Sequence, residues 1–255
     1  NIRYLKFRCL FQGGFDGVNI FDKEKADLTG IASLREASDE TDSNKFTGPT
    51  VMSYRRAVDV LSDKSATEFQ VLCLPGLRAP AVTDYAITSA EDRFDALLIM
   101  DIEEKDQTNG FVTGSTEQLT NVTYTVNNFE GRNLDSSFAA AYFPDVVIAD
   151  PATGGNVKCP PSVAVLGAFS LNDSVSHPWF APAGFTRGAL STVLESQVKL
   201  KRANLDALYE ADINPITSFP HTPGVVIFGQ KTLQAAQSAL DRVNVRRLLI
   251  DIRRR

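Results

Sequence analysis

Two short apolar runs, Phe69 to Leu74 and Ala96 to Ile102, flank a stretch from Pro80 to Asp92 with helical patterning. The first run closes on Pro75-Gly76, and the helical stretch carries proline in its first turn, where the missing N–H had no partner to lose. Strand, helix and strand at this spacing predict a right-handed βαβ crossover. Continuous rather than alternating apolar runs predict a largely parallel sheet buried on both faces.

The rest of the chain extends this pattern. Ile2 to Leu10 reads as a strand stopped by the turn Gly13-Gly14-Phe15-Asp16-Gly17, and the polar stretch from Asp22 to Pro49 as a solvent-facing loop. Val51, Tyr54, Val58 and Leu61 recur at helical spacing. Residues 107–133, rich in Thr, Asn and Gly with Val122, Tyr124 and Val126 alternating, predict an inserted loop or hairpin. Ser136 to Phe143 predicts a helix stopped by Pro144, and Val146 to Ala149 the next buried strand. Pro160-Pro161 opens a helix, Ala203 to Tyr209 is helical, Val225 to Phe228 is a strand closed by Gly229, and a helix runs from Val243. The simplest organisation is one α/β domain over residues 1–255. Its central sheet is mixed and largely parallel, flanked by helices, with a surface insertion at 107–133.

Composition excludes several classes. With 255 residues, 43% hydrophobic and 22% charged, the chain can bury a sizeable core. No window approaches the roughly 18 consecutive apolar residues of a membrane span, and no basic-then-apolar leader opens the chain, so a soluble protein without an export signal is expected. A net charge of −5 argues against a nucleic-acid binder, although Arg242, Arg246, Arg247, Arg253, Arg254 and Arg255 cluster near the C-terminus. Cys9, Cys73 and Cys159 are far apart, odd in number and outside any Cys-x-x-Cys pair, which reads as apolar filling rather than a disulfide frame or zinc site.

Candidate chemistry is sparse. Asp101, Glu103 and Glu104 leave one strand and Asp150 another, and clustered carboxylates at strand ends of an α/β sheet can hold Mg²⁺; the competing reading is a solvated strand exit. The Gly13 to Gly17 turn lacks both the dinucleotide and the Walker spacing. His177 and His221 lie near prolines with no nucleophile, base and orienter set around them. No catalytic, cofactor-binding or metal-ligating set is assigned. Trp179 and Phe180, an aromatic pair between prolines, read either as a core plug or as an anchor in a subunit contact.

One series of phrases fits none of these chemistries. It runs Ser137-Phe138-Ala139-Ala140-Ala141-Tyr142-Phe143-Pro144, Asp150-Pro151, Cys159-Pro160-Pro161-Ser162, Ala181-Pro182-Ala183-Gly184, Ile213-Asn214-Pro215-Ile216 and Asn244-Val245-Arg246-Arg247-Leu248. With Gly13-Gly14-Phe15-Asp16-Gly17 and Leu74-Pro75-Gly76 before it, this order resembles the tail sheath proteins of contractile phage tails and related injection machines. Two departures stand out: the 107–133 stretch has no counterpart, and Gly229-Gln230-Lys231-Thr232 replaces the usual Gly-x-Arg-Thr.

The resemblance implies a structural subunit of a contractile sheath rather than an enzyme. Such subunits form hexameric rings stacked helically around an inner tail tube, and contract when the baseplate triggers them, driving the tube through a host envelope for genome delivery. The implied partners are further copies of the chain, the tube protein and the baseplate, with no direct nucleic-acid or membrane contact and no cofactor. The implied location is the virion tail, assembled in host cytoplasm. Because the family's C-terminal helices lie toward the tube, the resemblance implies that Arg246 and Arg247 face acidic tube residues. Starting at Asn1 and ending in three arginines, the chain is expected to be a fragment without the terminal arms, monomeric in isolation. The runner-up is a Mg²⁺-dependent or nucleotide-handling α/β enzyme using Asp101, Glu103 and Asp150; a third class is an isolated cytoplasmic binding module.

Overall fold

The computed structural model describes residues 30–38, 48–112, 119–150, 152, 154–220 and 224–254. The expected first strand, the Gly13 to Gly17 turn, Cys9 and His221 lie outside them. The chain begins with α1 (Gly30–Ser38), α2 (Pro49–Ser62), β1 (Val71–Cys73), α3 (Pro80–Arg93), β2 (Leu97–Asp101) and α4 (Val122–Glu130). It continues with β3 (Ala139–Phe143), β4 (Val146–Ala149), β5 (Asn156–Cys159), α5 (Pro161–Val175), the short α6 (Gly184–Arg187), β6 (Ala189–Leu190) and β7 (Val193–Ser196). It ends with α7 (Arg202–Glu210), β8 (Ile213–Ser218), β9 (Val225–Ile227) and α8 (Val243–Arg254). The fold is α/β, as the apolar runs predict.

The main sheet has the order β1-β2-β3-β8-β9-β6. Its first three pairings are parallel and its last two antiparallel, giving the mixed, largely parallel sheet expected. Alternate residues of the central strands feed two cores. Leu98, Met100, Ala139, Ala141, Phe143 and Ile213 face a layer that includes Val58 of α2, Ala86 and Ala90 of α3, Val126 of α4 and Leu208 of α7. Leu97, Ile99, Ala140, Tyr142, Ile216 and Ile227 face Val165 and Phe169 of α5 and Val243 and Ile250 of α8. Both faces are covered, which is why these strands carry no polar alternation.

Four expectations are corrected. Residues 139–143 form a strand, not a helix: alanine favours helices intrinsically, but this segment sits between β2 and β8 with every residue buried, and tertiary context decides. Helix α4 lies inside the expected loop or hairpin. Its buried residues Val122, Thr125, Val126 and Phe129 follow helical spacing, while Tyr124 points outward, so the apparent alternation joins two members of a 3.6-residue repeat, Val122 and Val126, to a residue of the opposite face. Asn121 caps it, its side chain accepting from the N–H groups of Thr123 and Tyr124 at 3.0 and 3.3 Å. Strand β4 belongs to a second, antiparallel sheet of order β5-β4-β7 and is only partly buried. Helix α1 lies within the stretch expected as loop, and the Glu36 carboxylate accepts from Thr50 N and Val51 N, capping α2. Among the described residues no helix is long and apolar enough to cross a membrane.

Candidate functional site

The strand-end carboxylates hold the protein together. Asp101 ends β2 and is fully buried. Its carboxylate accepts from Gly76 N at 2.8 Å, Ser162 N at 2.9 Å and Ser162 Oγ at 2.8 Å. The Pro75-Gly76 turn, where Gly76 has φ +73°, and the Pro160-Pro161-Ser162 start of α5 are thus tied to one side chain. Burial raises the pKa of Asp101, and the donors from Gly76 and Ser162, with the nearby Arg78, oppose that rise.

Glu104 accepts from Thr120 Oγ1 at 2.8 Å and faces Arg78 and Lys158 at 3.8 Å each. Those cations also pair with Asp145, at 2.5 Å from Arg78 and 3.0 Å from Lys158. Burial works against the Arg78 charge, but Asp145 and Glu104 outweigh it and hold the guanidinium protonated. Glu103 accepts from Asn128 of α4 at 3.0 Å, and burial raises its pKa. Asp150 organises its own turn, its carboxylate accepting from Ala152 N and its carbonyl from Gly154 N. Among the described residues no three His, Cys, Asp or Glu side chains are grouped to hold a metal, so Asp101, Glu103 and Asp150 do not form the shared centre that a Mg²⁺ enzyme needs. Burial also pushes the Cys73 thiol up to about 11, away from nucleophilic use.

The aromatic loop and Arg247, distant in sequence, are both tied to α5, and α8 reaches the loop through Asn244. The rings of His177 and Trp179 stack at 4.4 Å, with Phe180 nearly parallel at 6.3 Å from His177. Asn172 of α5 donates to the carbonyls of His177 and Phe180, and Asn244 of α8 to that of Trp179, so two buried or half-buried amides fix this loop. Phe180 is exposed, with the Arg187 guanidinium 4.4 Å over its ring. Arg246 and Arg247 are only 8% and 4% exposed. Arg247 donates to Asp173 at 2.5 Å and lies over the Phe169 ring; Arg246 donates to Ser137 and lies 3.9 Å over the Phe138 ring. Both are engaged within the chain. Asn172 and Asp173 are functional partners that no motif marks in the sequence; their polar character on the buried side of α5 is the one available signal.

No protein-family model matches the chain. Over 84 residues, 33% of the chain, it is 46% identical to the tail sheath protein of Vibrio phage KVP40. Over 175 residues, 67% of the chain, it is 30% identical to the tail sheath protein of Enterobacteria phage T4. This chain belongs with the tail sheath proteins. The matches span 12% and 26% of those two relatives, so the chain corresponds to a fraction of their length. Two solved structures share its fold. A chain of the anti-feeding prophage baseplate aligns over 88% of this chain and 55% of its own, with a TM-score of 0.55 at 19% identity. A chain of the contracted sheath complex of the extracellular contractile injection system PVC aligns over 77% and 50%, with 0.54 at 22%.

The sheath-type phrases now have physical reasons. Asn214, in Ile213-Asn214-Pro215-Ile216, donates to Ala141 O at 3.0 Å and Lys231 O at 2.8 Å and accepts from Lys231 N at 2.6 Å, locking β8 to β3 and to the loop after β9. A Cβ on Gly229 would sit 2.7 Å from the Asn214 oxygen, which explains the glycine. Lys231, which departs from the sheath pattern, pairs with Asp212 at 2.7 Å and lies over Tyr209. In Asn244-Val245-Arg246-Arg247, the asparagine and both arginines clamp the Trp179 loop, α5 and the start of β3.

Proposed function

We propose that the chain is the α/β body of a structural subunit of a contractile tail sheath. The similarity to the phage T4 tail sheath protein over 67% of this chain carries the reading. In it the chain performs no catalysis and needs no cofactor. Further copies of the parent protein surround it in stacked rings about an inner tube, a baseplate triggers contraction, and the virion tail, assembled in host cytoplasm, is its place. Work is done by exchanging one set of neighbour contacts for another of lower free energy, so the body must move as a rigid unit. A core filled on both faces of the sheet and carboxylates spent on internal bonds suit that role.

Residues 1–255 act in this reading as one domain, with 107–133 a peripheral elaboration. The exposed aromatic loop of Trp179 and Phe180 serves as a neighbour contact. On α8, tube contact falls to the outward Leu249, Ile252 and Arg253, with Arg246 and Arg247 shaping the helix from beneath. In this reading the isolated chain, whose match spans 26% of the phage T4 relative, is monomeric and does not contract alone. The test is negative-stain electron microscopy of the full-length parent beside this chain. Hollow or striated tubes from the parent and dispersed particles from the chain are expected; dispersed particles from both, across salt and concentration, overturn the reading.

A further inference from the structure

The chain contains a single Asn-Gly pair, Asn109-Gly110, in a loop between the antiparallel bridge partners Lys105 and Phe111. Asn109 is exposed and has φ +62°. The Asp106 carboxylate fills this loop. Its Oδ1 accepts from Thr108 N at 2.7 Å, from Thr108 Oγ1 at 2.7 Å and from Gly110 N at 2.8 Å. Asp106 N donates in turn to Gly110 O at 2.9 Å, and Asn109 N to Asp106 O at 3.2 Å. Bonds from Thr108 and Gly110 hold the Asp106 pKa below its ordinary value, so the carboxylate is charged at neutral pH.

Asparagine followed by glycine is the pairing in which a side-chain amide is most open to attack by the next backbone nitrogen, because glycine puts no Cβ in the way. We propose that Asn109 is a site of spontaneous succinimide formation and that Asp106 holds it in check. In the step, Gly110 N bonds to Asn109 Cγ, the Cγ–N bond of the side-chain amide breaks, and ammonia leaves with the proton from the Gly110 nitrogen. Water then opens the five-membered ring at either carbonyl, leaving aspartate or isoaspartate. The attacking nitrogen must lose its proton and turn toward Cγ. Asp106 opposes both requirements: it grips that N–H, and its negative charge disfavours a developing anion beside it. The loop thus carries a slow chemical modification site together with the side chain that restrains it.

The test incubates the whole chain in mildly alkaline buffer, natively and in urea, and follows Asn109 by peptide mass spectrometry with enzymatic methyl labelling of isoaspartyl residues. Conversion in urea confined mainly to Asn109, and slower in the folded chain by about ten- to a hundredfold, is expected from the strength of a hydrogen bond to a charged acceptor. Asp106→Ala raises the folded-state rate toward the urea rate, with circular dichroism confirming the fold. Asp106→Asn, which keeps an acceptor oxygen without the charge, falls between. A folded-state rate equal to that in urea, an unchanged rate in both variants, or equal conversion at other asparagines overturns the proposal.

Discussion

The carboxylate of Asp101 accepts both the backbone N–H and the hydroxyl of Ser162, at 2.9 and 2.8 Å, and so fixes the first turn of α5 against the end of β2. With Gly76 N as the third donor, removing the carboxylate leaves the buried Ser162 N–H and the half-buried Gly76 N–H without their acceptor. Asp101→Ala is expected to cost about 3–5 kcal/mol of unfolding free energy. Asp101→Asn should lose much of the same, because its amide nitrogen cannot accept. Urea unfolding followed by circular dichroism measures both, and added Mg²⁺ should leave the wild-type midpoint where it was. A divalent-dependent midpoint would restore the metal reading of this strand end.

Asn214 and Gly229 form one device. Asn214→Leu, close in size, leaves the Ala141 and Lys231 carbonyls and the Lys231 N–H without this partner, and about 2–4 kcal/mol should be lost. Gly229→Ala pushes a methyl into the same amide and into Pro215. Because the two changes damage one contact, their effects should fall short of additive in a double-mutant cycle. Additive losses would mean that the loop after β9 is held some other way.

How much of this was legible beforehand depends on range. The βαβ unit, the Pro-initiated helices and the α/β class follow from local pattern, since apolar runs and prolines act over a few residues. Residues 139–143 carry a helical local signal because nothing within Ala-Ala-Ala-Tyr-Phe says that β2 and β8 lie on either side of it. The Trp179 loop and the paired arginines were singled out separately. That Asn244 joins one to the helix of the other is a relation across 65 residues, visible only in the fold.

The small side chains of β3 let the flanking layers approach. Ala140→Leu inserts a larger group opposite Ile99 and into the buried cluster that holds Tyr142, Val165 and Phe169, and should destabilise by about 1–3 kcal/mol. Thermal unfolding measures it; a neutral outcome would show that α5 can move away from the sheet.

Glu103 gives stability a pH dependence of definite sign. Burial raises its folded-state pKa above the ordinary 4.5, against opposition from Asn128, Lys105 and Arg132 and with some help from Asp84. The native chain therefore binds this proton more tightly than the unfolded chain. The contribution is full below the unfolded value and is lost as pH rises through the folded one. Glu103→Gln can keep the bond from Asn128 through its carbonyl. The stability difference, variant minus wild type, should be smallest in acid and grow in the variant's favour as pH rises through that window. A pH-independent difference would place the titration elsewhere.

Arg247 and Arg253 separate folding from assembly on a single helix. Arg247, buried against Asp173 and Phe169, should cost the isolated chain about 2–4 kcal/mol when changed to Ala, through lost packing as much as lost charge. Arg253 is exposed beside the Phe94 ring, and Arg253→Ala should leave stability within about 0.5 kcal/mol. In the full-length protein the order should reverse. On the proposed tube contact of α8, Arg253→Glu should weaken co-assembly in a salt-dependent way, while any Arg247 defect should track the amount of folded protein and ignore salt. If instead Arg247→Ala leaves the isolated chain at wild-type stability and still disrupts assembly, the tube contact belongs to the paired arginines themselves, and α8 must present them outward when the sheath forms.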